Sequence, residues 1–188
     1  MIGNNKSFTL IETVVALGIF IAISAGLGEV ISVSIQNQIK ITSMQNIFSQ
    51  SVFSLDKIEK ELRMAKKDTT GNCVGTINRN FSVVDGGVLD SITFLYYDQD
   101  TTSLRCKKFA VEGGRLKEFL SLDTTSNFPA GVEITSSSFL INSLNFIVSG
   151  DAPSDNLQPK ITILMNVSST YLNPINIETT ISQRRLDL

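Results

Sequence analysis

Hydrophobic positions are concentrated in one uninterrupted run near the start of the chain. Residues 8–28 read FTLIETVVALGIFIAISAGLG, and Glu12 is the only charged residue among them. As a helix the run spans about 32 Å at ~1.5 Å per residue, which matches a bilayer hydrocarbon core of about 30 Å. Apolar side chains face every direction around this helix, so it requires apolar surroundings on all sides. The run therefore predicts a single-pass membrane anchor or a cleaved signal.

The charges on either side of the run predict its orientation in a membrane. The preceding residues, MIGNNKS, carry Lys6 and the terminal amine but no acid, whereas Lys40 is the only basic residue in residues 29–48. Because basic flanks are retained on the cytoplasmic side, we expect a cytoplasmic N-terminus and an extracytoplasmic remainder from about residue 29.

A helical repeat continues after the apolar run. Apolar residues follow at steps of three to five and form one stripe, while the segment DKIEKELR (residues 56–63) carries charges. The pattern predicts one helix from Phe8 to Lys67, amphipathic over residues 29–67 and ended by DTTGN. The predicted stripe contains Ile35, Ile39, Met44, Phe48, Val52, Leu55, Ile58, Leu62 and Ala65.

Beyond Asn72 the pattern changes to short alternating runs separated by turn residues. Six such runs without an intervening helical pattern predict an antiparallel sheet over residues 68–188, covered on one face by the amphipathic stripe. The expected fold class is α+β, a long N-terminal helix packed on a C-terminal antiparallel sheet. The predicted strands are Leu89–Asp98, Leu104–Val111, Leu116–Leu122 (joined to the preceding strand by a Gly113-Gly114 turn), Phe139–Val148, Lys160–Ser168 and Ile175–Gln183.

Composition removes several function classes. The net charge of −2 argues against nucleic acid as a partner, since phosphate binding needs a basic surface. Because the chain contains no His, it cannot form a His-based catalytic triad or a His-ligated zinc site. Neither Asp98–Asp100 nor Gly150–Asp155 completes a calcium loop. We therefore expect no enzyme activity, no cofactor and no metal.

The two cysteines have two interpretations. Cys73 follows the predicted helix and Cys106 lies in the predicted hairpin. Outside the cytoplasm the two can oxidise to a disulfide, whereas the alternative is two separately buried thiols. The spacing does not match a redox Cys-x-x-Cys motif.

Residues 8–17, FTLIETVVAL, resemble the N-terminal signature of type IV pilins and pseudopilins. The resemblance implies a leader over residues 1–7, cleavage between Ser7 and Phe8 by the prepilin peptidase, and N-methylation of Phe8. It also implies that the helix packs against other pilin or pseudopilin subunits in a filament assembled by an ATPase and a platform protein. Three further segments, DKIEKELR, ITFLYY and LNFIV, resemble a J-type minor pseudopilin.

Glu12 corresponds to the fifth residue of the mature chain in this family. A carboxylate in the apolar interior of a bilayer or filament needs a cation. The resemblance implies that this cation is the amine of Phe8 on a neighbouring subunit, and buried pairs of this kind select one register. The alternative is that Glu12 reaches back toward the cytoplasmic headgroups.

Two positions depart from the family pattern. Ser7 stands where Gly usually precedes the cleavage site, and Glu29 stands where many major pilins have a Pro that kinks the helix. Both departures favour a minor or accessory subunit over a bulk subunit.

Three functions follow from these observations. The leading hypothesis is a minor pilin or pseudopilin of a type IV pilus-like, competence or type II secretion filament. The second is a single-pass membrane-anchored extracytoplasmic binding module that does not polymerise. The third is a secreted protein whose apolar run is a signal peptide cleaved near Ala22–Ser24, a site with small residues.

Overall fold

The computed structural model describes residues 9–152, 157–170 and 172–184. Within them the chain forms one helix and eight strands, which confirms the predicted α+β class. The chain divides into two compact units, Met1–Thr42 and Ser43–Leu188. The elements are α1 (Leu10–Arg63), β1 (Phe81–Val84), β2 (Ser91–Asp98), β3 (Ser103–Glu112), β4 (Arg115–Leu120), β5 (Val132–Glu133), β6 (Leu140–Ser149), β7 (Lys160–Ser169) and β8 (Leu172–Ser182).

The described part of the first unit is the beginning of α1. Every described residue up to Thr42 is exposed to solvent. The apolar side chains that surround this part of α1 therefore have no partner within the described chain. A helix that is apolar on all sides is normally covered by a protein core or a membrane, and this part of α1 is covered by neither within the described chain.

The helix ends four residues earlier than the predicted end at Lys67. Its last turn tightens, since the N–H groups of Met64 and Ala65 donate to carbonyls three residues back. The N–H of Lys66 then donates to the carbonyl of Leu95 at 2.7 Å, so the backbone at this point already pairs with β2. Competition from this sheet contact ends the helix.

The strands form two sheets, and the prediction of a single sheet is wrong. The five-stranded sheet has the order β1-β2-β3-β4-β5 and the three-stranded sheet the order β6-β7-β8, with every pair antiparallel. The six predicted strands correspond to β2, β3, β4, β6, β7 and β8. The pattern missed β1 and β5, which are too short for an alternating repeat to identify.

One chain segment joins the two sheets. Leu89, just before β2, makes a parallel bridge with Leu144 of β6, and the N–H of Asp90 donates to the Leu144 carbonyl at 2.7 Å.

The predicted Gly113-Gly114 turn is confirmed: both glycines have positive φ, 62° and 74°, as a tight hairpin requires.

The core of the second unit lies between α1 and the two sheets. Ile58 and Leu62 of α1 are fully buried in one cluster with Phe94 and Phe109 of the five-stranded sheet and Ile163 of the three-stranded sheet. The amphipathic part of the helix therefore covers both sheets. The sequence predicted that it would cover one face of a single sheet.

The composition of the buried helix face differs from the predicted stripe. The buried positions of α1 are Ile47, Ser51, Ser54, Ile58 and Leu62. Met44, Phe48 and Val52 were predicted to be buried but are exposed. Ile58, Leu62 and Ala65 of the predicted stripe are buried, so the last part of the stripe is confirmed, whereas its first members Ile35 and Ile39 are exposed. Between residues 47 and 54 the buried face carries two small serines, and the pattern of apolar residues alone does not identify it there.

Candidate functional site

The start of α1 is a capping box formed by Thr9 and Glu12. The N–H of Glu12 donates to the Thr9 hydroxyl at 3.4 Å, and the N–H of Thr9 donates to the Glu12 carboxylate at 3.5 Å. Both bonds are long, and the N–H of Glu12 also donates to the Thr9 carbonyl at 3.1 Å. The bond to the Glu12 carboxylate occupies the N–H of Thr9, which has no carbonyl partner within the helix. The pattern Thr-x-x-Glu directly before an apolar run is the sequence signal from which this cap could have been predicted.

The carboxylate of Glu12 thus has a contact within its own chain. It lies in the first turn of α1, where the helix dipole favours a negative charge. The predicted cleavage site, Ser7 and Phe8, falls outside the described residues. The structure therefore places Glu12 at the helix start, and the pairing of Glu12 with a neighbouring Phe8 amine stays a prediction.

An exposed apolar surface covers α1 from Leu10 onwards, beside the capping box. By length and composition α1 can cross a membrane, and none of its most apolar stretch is buried. Its exposed large side chains up to residue 42 are Leu10, Ile11, Val14, Val15, Leu17, Ile19, Phe20, Ile21, Ile23, Leu27, Val30, Ile31, Val33, Ile35, Ile39 and Ile41.

Cys73 and Cys106 form a disulfide in the structure, with Cα atoms 5.5 Å apart. The bond joins the segment that follows α1 to the middle of β3. Both cysteines are buried with Val74 and Leu95 in a small cluster separate from the main core. Of the two interpretations of the cysteines, the structure shows the bonded one.

The carboxylate of Asp68 organises the backbone that carries Cys73. One oxygen accepts from the N–H groups of Cys73 at 2.9 Å and Val74 at 3.0 Å, and the other accepts from Gly71 at 2.8 Å and from Thr70. Burial by itself would raise the pKa of Asp68, but these hydrogen bonds outweigh burial and hold the pKa below its ordinary value. Asp68 is therefore a buried anion that fixes the segment 68–74.

A charge cluster joins α1 to the five-stranded sheet. The Lys107 ammonium of β3 is buried and lies 2.7 Å from the Glu61 carboxylate and 2.5 Å from the Glu118 carboxylate. Lys57 of α1 also pairs with Glu118, and the Tyr96 ring centroid lies 4.1 Å from the Lys107 nitrogen. Two cations and two anions thus balance one another at this contact.

The pKa shifts in the cluster follow from burial and pairing. Burial raises the pKa of Glu61, and the bond to Lys107 offsets this only in part. Burial would lower the pKa of Lys107, but hydrogen bonds to Glu118 and Glu61 raise it instead. For Glu118, contact with Lys107 and Lys57 outweighs burial and lowers the pKa. The cluster is a structural contact of the core rather than an open site, because Lys107 is only 5% exposed.

Among the described residues no group of three or more Cys, Asp or Glu side chains is arranged to hold a metal ion. The Asp98 carboxylate makes its hydrogen bonds and its ion pair with nearby residues of the same hairpin. It accepts from the N–H of Asp100 at 3.1 Å and the hydroxyl of Thr101 at 2.8 Å, and it pairs with Arg105 at 3.3 Å. The loop over residues 150–155 lies partly outside the described residues.

Comparison of the chain with protein-family models, with curated proteins and with solved structures finds no match in any of the three. The resemblance to pilins therefore depends on residues 8–17 and on the three shorter segments.

Proposed function

We propose that this chain is a structural subunit, a minor pilin or pseudopilin, of a type IV pilus-like, competence or type II secretion filament. The observation that carries the proposal is the exposure of large apolar side chains all around α1 up to residue 42. Soluble monomers rarely expose a continuous apolar patch larger than a few hundred Å². Such a helix needs lipid before assembly and the helices of other subunits afterwards, so the subunit acts by packing rather than by catalysis.

The beginning of the helix supports the same proposal. In the proposed maturation, the prepilin peptidase cleaves between Ser7 and Phe8, the new amine is methylated, and this amine pairs with Glu12 of a neighbouring subunit. The capping box keeps the Glu12 carboxylate at the first turn. A carboxylate at this position can approach the chain end of a neighbour that is displaced along the filament axis.

The proposed location is the cytoplasmic membrane, with the N-terminus in the cytoplasm and the chain from about residue 29 outside, followed by an extracytoplasmic filament. The Cys73–Cys106 disulfide supports an extracytoplasmic second unit, because disulfides persist in oxidising compartments and are rare in the cytosol. An assembly ATPase and a platform protein act indirectly, from the cytoplasm and the membrane.

Intact mass spectrometry of the purified native protein tests the proposal. A mass that starts at Phe8 with one added methyl group is the expected result. A start at Met1 indicates an anchored module with its leader retained, and a start near Ala25 indicates a secreted protein, so either mass would overturn the proposal. The variant Ser7→Gly, which restores the usual family residue, is the matched control and should be cleaved at least as completely.

A further inference from the structure

β8 lies at the edge of its sheet, and its hydrogen bonds show which backbone groups face outward. In an antiparallel pair, alternate residues bond to the neighbouring strand and the residues between them point away from it. The N–H of Gln183 donates to the carbonyl of Pro159, just before β7, whereas the N–H of Arg184 donates away from β7 to the carbonyl of Arg63. The odd-numbered residues of β8 therefore bond to β7, and the even-numbered residues face away from the sheet.

The open part of this edge extends from Ile175 to Ser182. The register with β7 is unbroken over these residues, so the alternation holds throughout. In the described parts of the chain, the outward N–H groups of Asn176, Glu178 and Thr180 have no acceptor. A row of unpaired N–H and C=O groups along a sheet edge is a template for pairing with another extended chain.

The other sheet edges are short or covered, as edges of soluble proteins usually are. β1 has four residues, and its first N–H donates to the Asp151 carboxylate. β5 has two residues. On the outer side of β6, the N–H of Leu144 donates to the carbonyl of Val88 at 3.0 Å. β8 has none of these protections, and residues 175–182 contain no Lys, Arg or Pro that would discourage pairing.

An apolar groove lies between this edge and α1, with a volume of about 400 Å³. Phe48 on its α1 side is 71% exposed. A strand added to β8 would direct every second side chain toward α1, because side chains alternate between the two faces of a sheet. Apolar side chains at these positions would fill the groove. The apolar residues that line it are Met44, Ile47, Phe48, Val52, Leu55, Ile175 and Ile177.

Glu178 restricts the occupant further. It is the only charged residue that lines the groove, it is exposed, and it forms no ion pair within the described chain. Its neighbour in β7 is Leu164, so an added strand would supply the residue on its other side. Opposite charges across a strand pair are favourable and like charges are not. The β8 strand of a second copy does not meet this requirement, because residues 175–182 contain no basic residue.

We propose that β8 accepts an extended strand from a different protein, which has apolar side chains at alternate positions and a Lys or Arg opposite Glu178. Backbone hydrogen bonds to the outward groups would hold the strand, and the groove would select its apolar side chains. The inference concerns the second unit alone and does not rest on the proposed function.

A synthetic peptide and hydrogen exchange test the proposal on the full chain in detergent. The peptide is Val-Thr-Ile-Arg-Val-Thr-Ile with blocked ends, and we expect saturable binding. At saturation the amides of Asn176, Glu178 and Thr180, resolved by NMR, should exchange about tenfold more slowly, whereas those of Ile177 and Thr179, already bonded to β7, should change little. Absence of binding, or binding without this alternation, would overturn the proposal.

Thr180→Pro removes one outward N–H without removing a bond to β7, a position at which edge strands tolerate Pro. It should weaken peptide binding about tenfold. Thr180→Val is the matched control, since it also loses the hydroxyl contact with Thr162 but keeps the N–H, and it should bind as the unsubstituted chain does. If the full chain associates with itself and Thr180→Pro abolishes this association, the occupant is a second copy and the proposal is wrong.

Phe48→Ser tests the groove even if Thr180→Pro fails to fold. Phe48 is exposed, so its loss should leave the melting temperature nearly unchanged but weaken binding of the peptide. Phe53→Ser is the matched control, because Phe53 is 61% exposed on the same helix but does not line the groove. Equal effects of the two variants would contradict a role of the groove.

Exchange of charge tests the position of Glu178. A peptide with Glu in place of Arg should bind the unsubstituted chain about threefold more weakly, and Glu178→Lys should reverse this preference. If Glu178→Lys leaves the preference unchanged, the charged residue of the strand does not lie opposite Glu178, and this part of the proposal is wrong.

Discussion

At the scale of single residues, Glu12 has one contact in the structure and one proposed partner in the filament. Within its own chain the carboxylate contacts the N–H of Thr9 over 3.5 Å and so contributes to the start of the helix. In the proposed filament it also neutralises the amine of a neighbouring Phe8. The two roles differ in what they require: a cap needs only a hydrogen-bond acceptor, whereas an ion pair needs a charge.

Substitution of Glu12 distinguishes the two roles. Glu12→Gln keeps an acceptor that suits a capping box but removes the charge, whereas Glu12→Ala removes both. We expect both variants to insert into the membrane and both to be strongly reduced in filaments sheared from cells, as measured by immunoblotting. Normal assembly of Glu12→Gln with defective Glu12→Ala would indicate that Glu12 acts as a cap, and the subunit pairing would be wrong.

Asp68 is the second residue with a testable charge. Its two oxygens accept from N–H groups on both sides, so either orientation of an Asn amide places a donor against donors. Asp68→Asn should lower the free energy of unfolding at pH 7 by about 2 kcal/mol. The control Asp100→Asn, at an exposed turn residue, should change it little.

The pH dependence of this difference follows from the lowered pKa of Asp68. The stability that Asp68 contributes is complete well above its ordinary pKa of 3.8 and is lost as the pH falls through the lower pKa of the folded state. The difference between the unsubstituted chain and Asp68→Asn should therefore shrink below pH 3.8. Urea unfolding at several pH values measures it, and a constant difference would show that the charge of Asp68 is not responsible.

At the scale of elements, a few contacts fix the end of α1 on the sheets. The Gln183 amide donates to the carbonyl of Ala65 at 2.6 Å, and the N–H of Arg184 donates to the carbonyl of Arg63 at 3.1 Å. Carbonyls at the end of a helix lack partners within it, so the residues after β8 satisfy them. Together with the Lys107 cluster, these contacts bind the helix end to both sheets.

The disulfide adds a covalent link at the same place. Opening it with Cys73→Ser and Cys106→Ser together should lower the free energy of unfolding by about 3–4 kcal/mol, because the unfolded chain regains the freedom of a loop with a sequence separation of 33. Thermal unfolding with and without reductant measures this loss. The double variant is its own control, since reductant should affect the unsubstituted chain and leave the variant unchanged.

The elements that the sequence predicted are those with a long repeat. α1 and the six longer strands each extend over enough residues for their period to be seen, whereas β5 contains only two residues. The buried face of α1 was predicted correctly at Ile58 and Leu62 but not between residues 44 and 54, because Ser51 and Ser54 are polar by type but small enough to pack against the sheets. The charge cluster could not be predicted, since it depends on residues far apart in the chain.

At the scale of the whole molecule, the two units differ in where their apolar side chains lie. The buried core belongs entirely to residues after Thr42, and its first member along the chain is Ile47. The described residues before Ser43 are all exposed. The apolar run could be predicted because one continuous stretch of sequence specifies it, but its occupancy by lipid or by other helices depends on molecules outside the chain.

This division predicts the effect of shortening the chain. Removal of residues 1–28 should give a water-soluble, folded protein, and removal of residues 1–42 should leave its melting temperature nearly unchanged, because neither change removes a buried residue described in the structure. Removal of residues 1–50 deletes Ile47, which is 3% exposed, and should destabilise the fold by about 2–5 kcal/mol. Circular dichroism and thermal unfolding compare the three proteins, with the full chain in detergent as the reference. An unfolded protein after removal of residues 1–28 would show that the apolar helix is required for the fold and would contradict the division at residue 42.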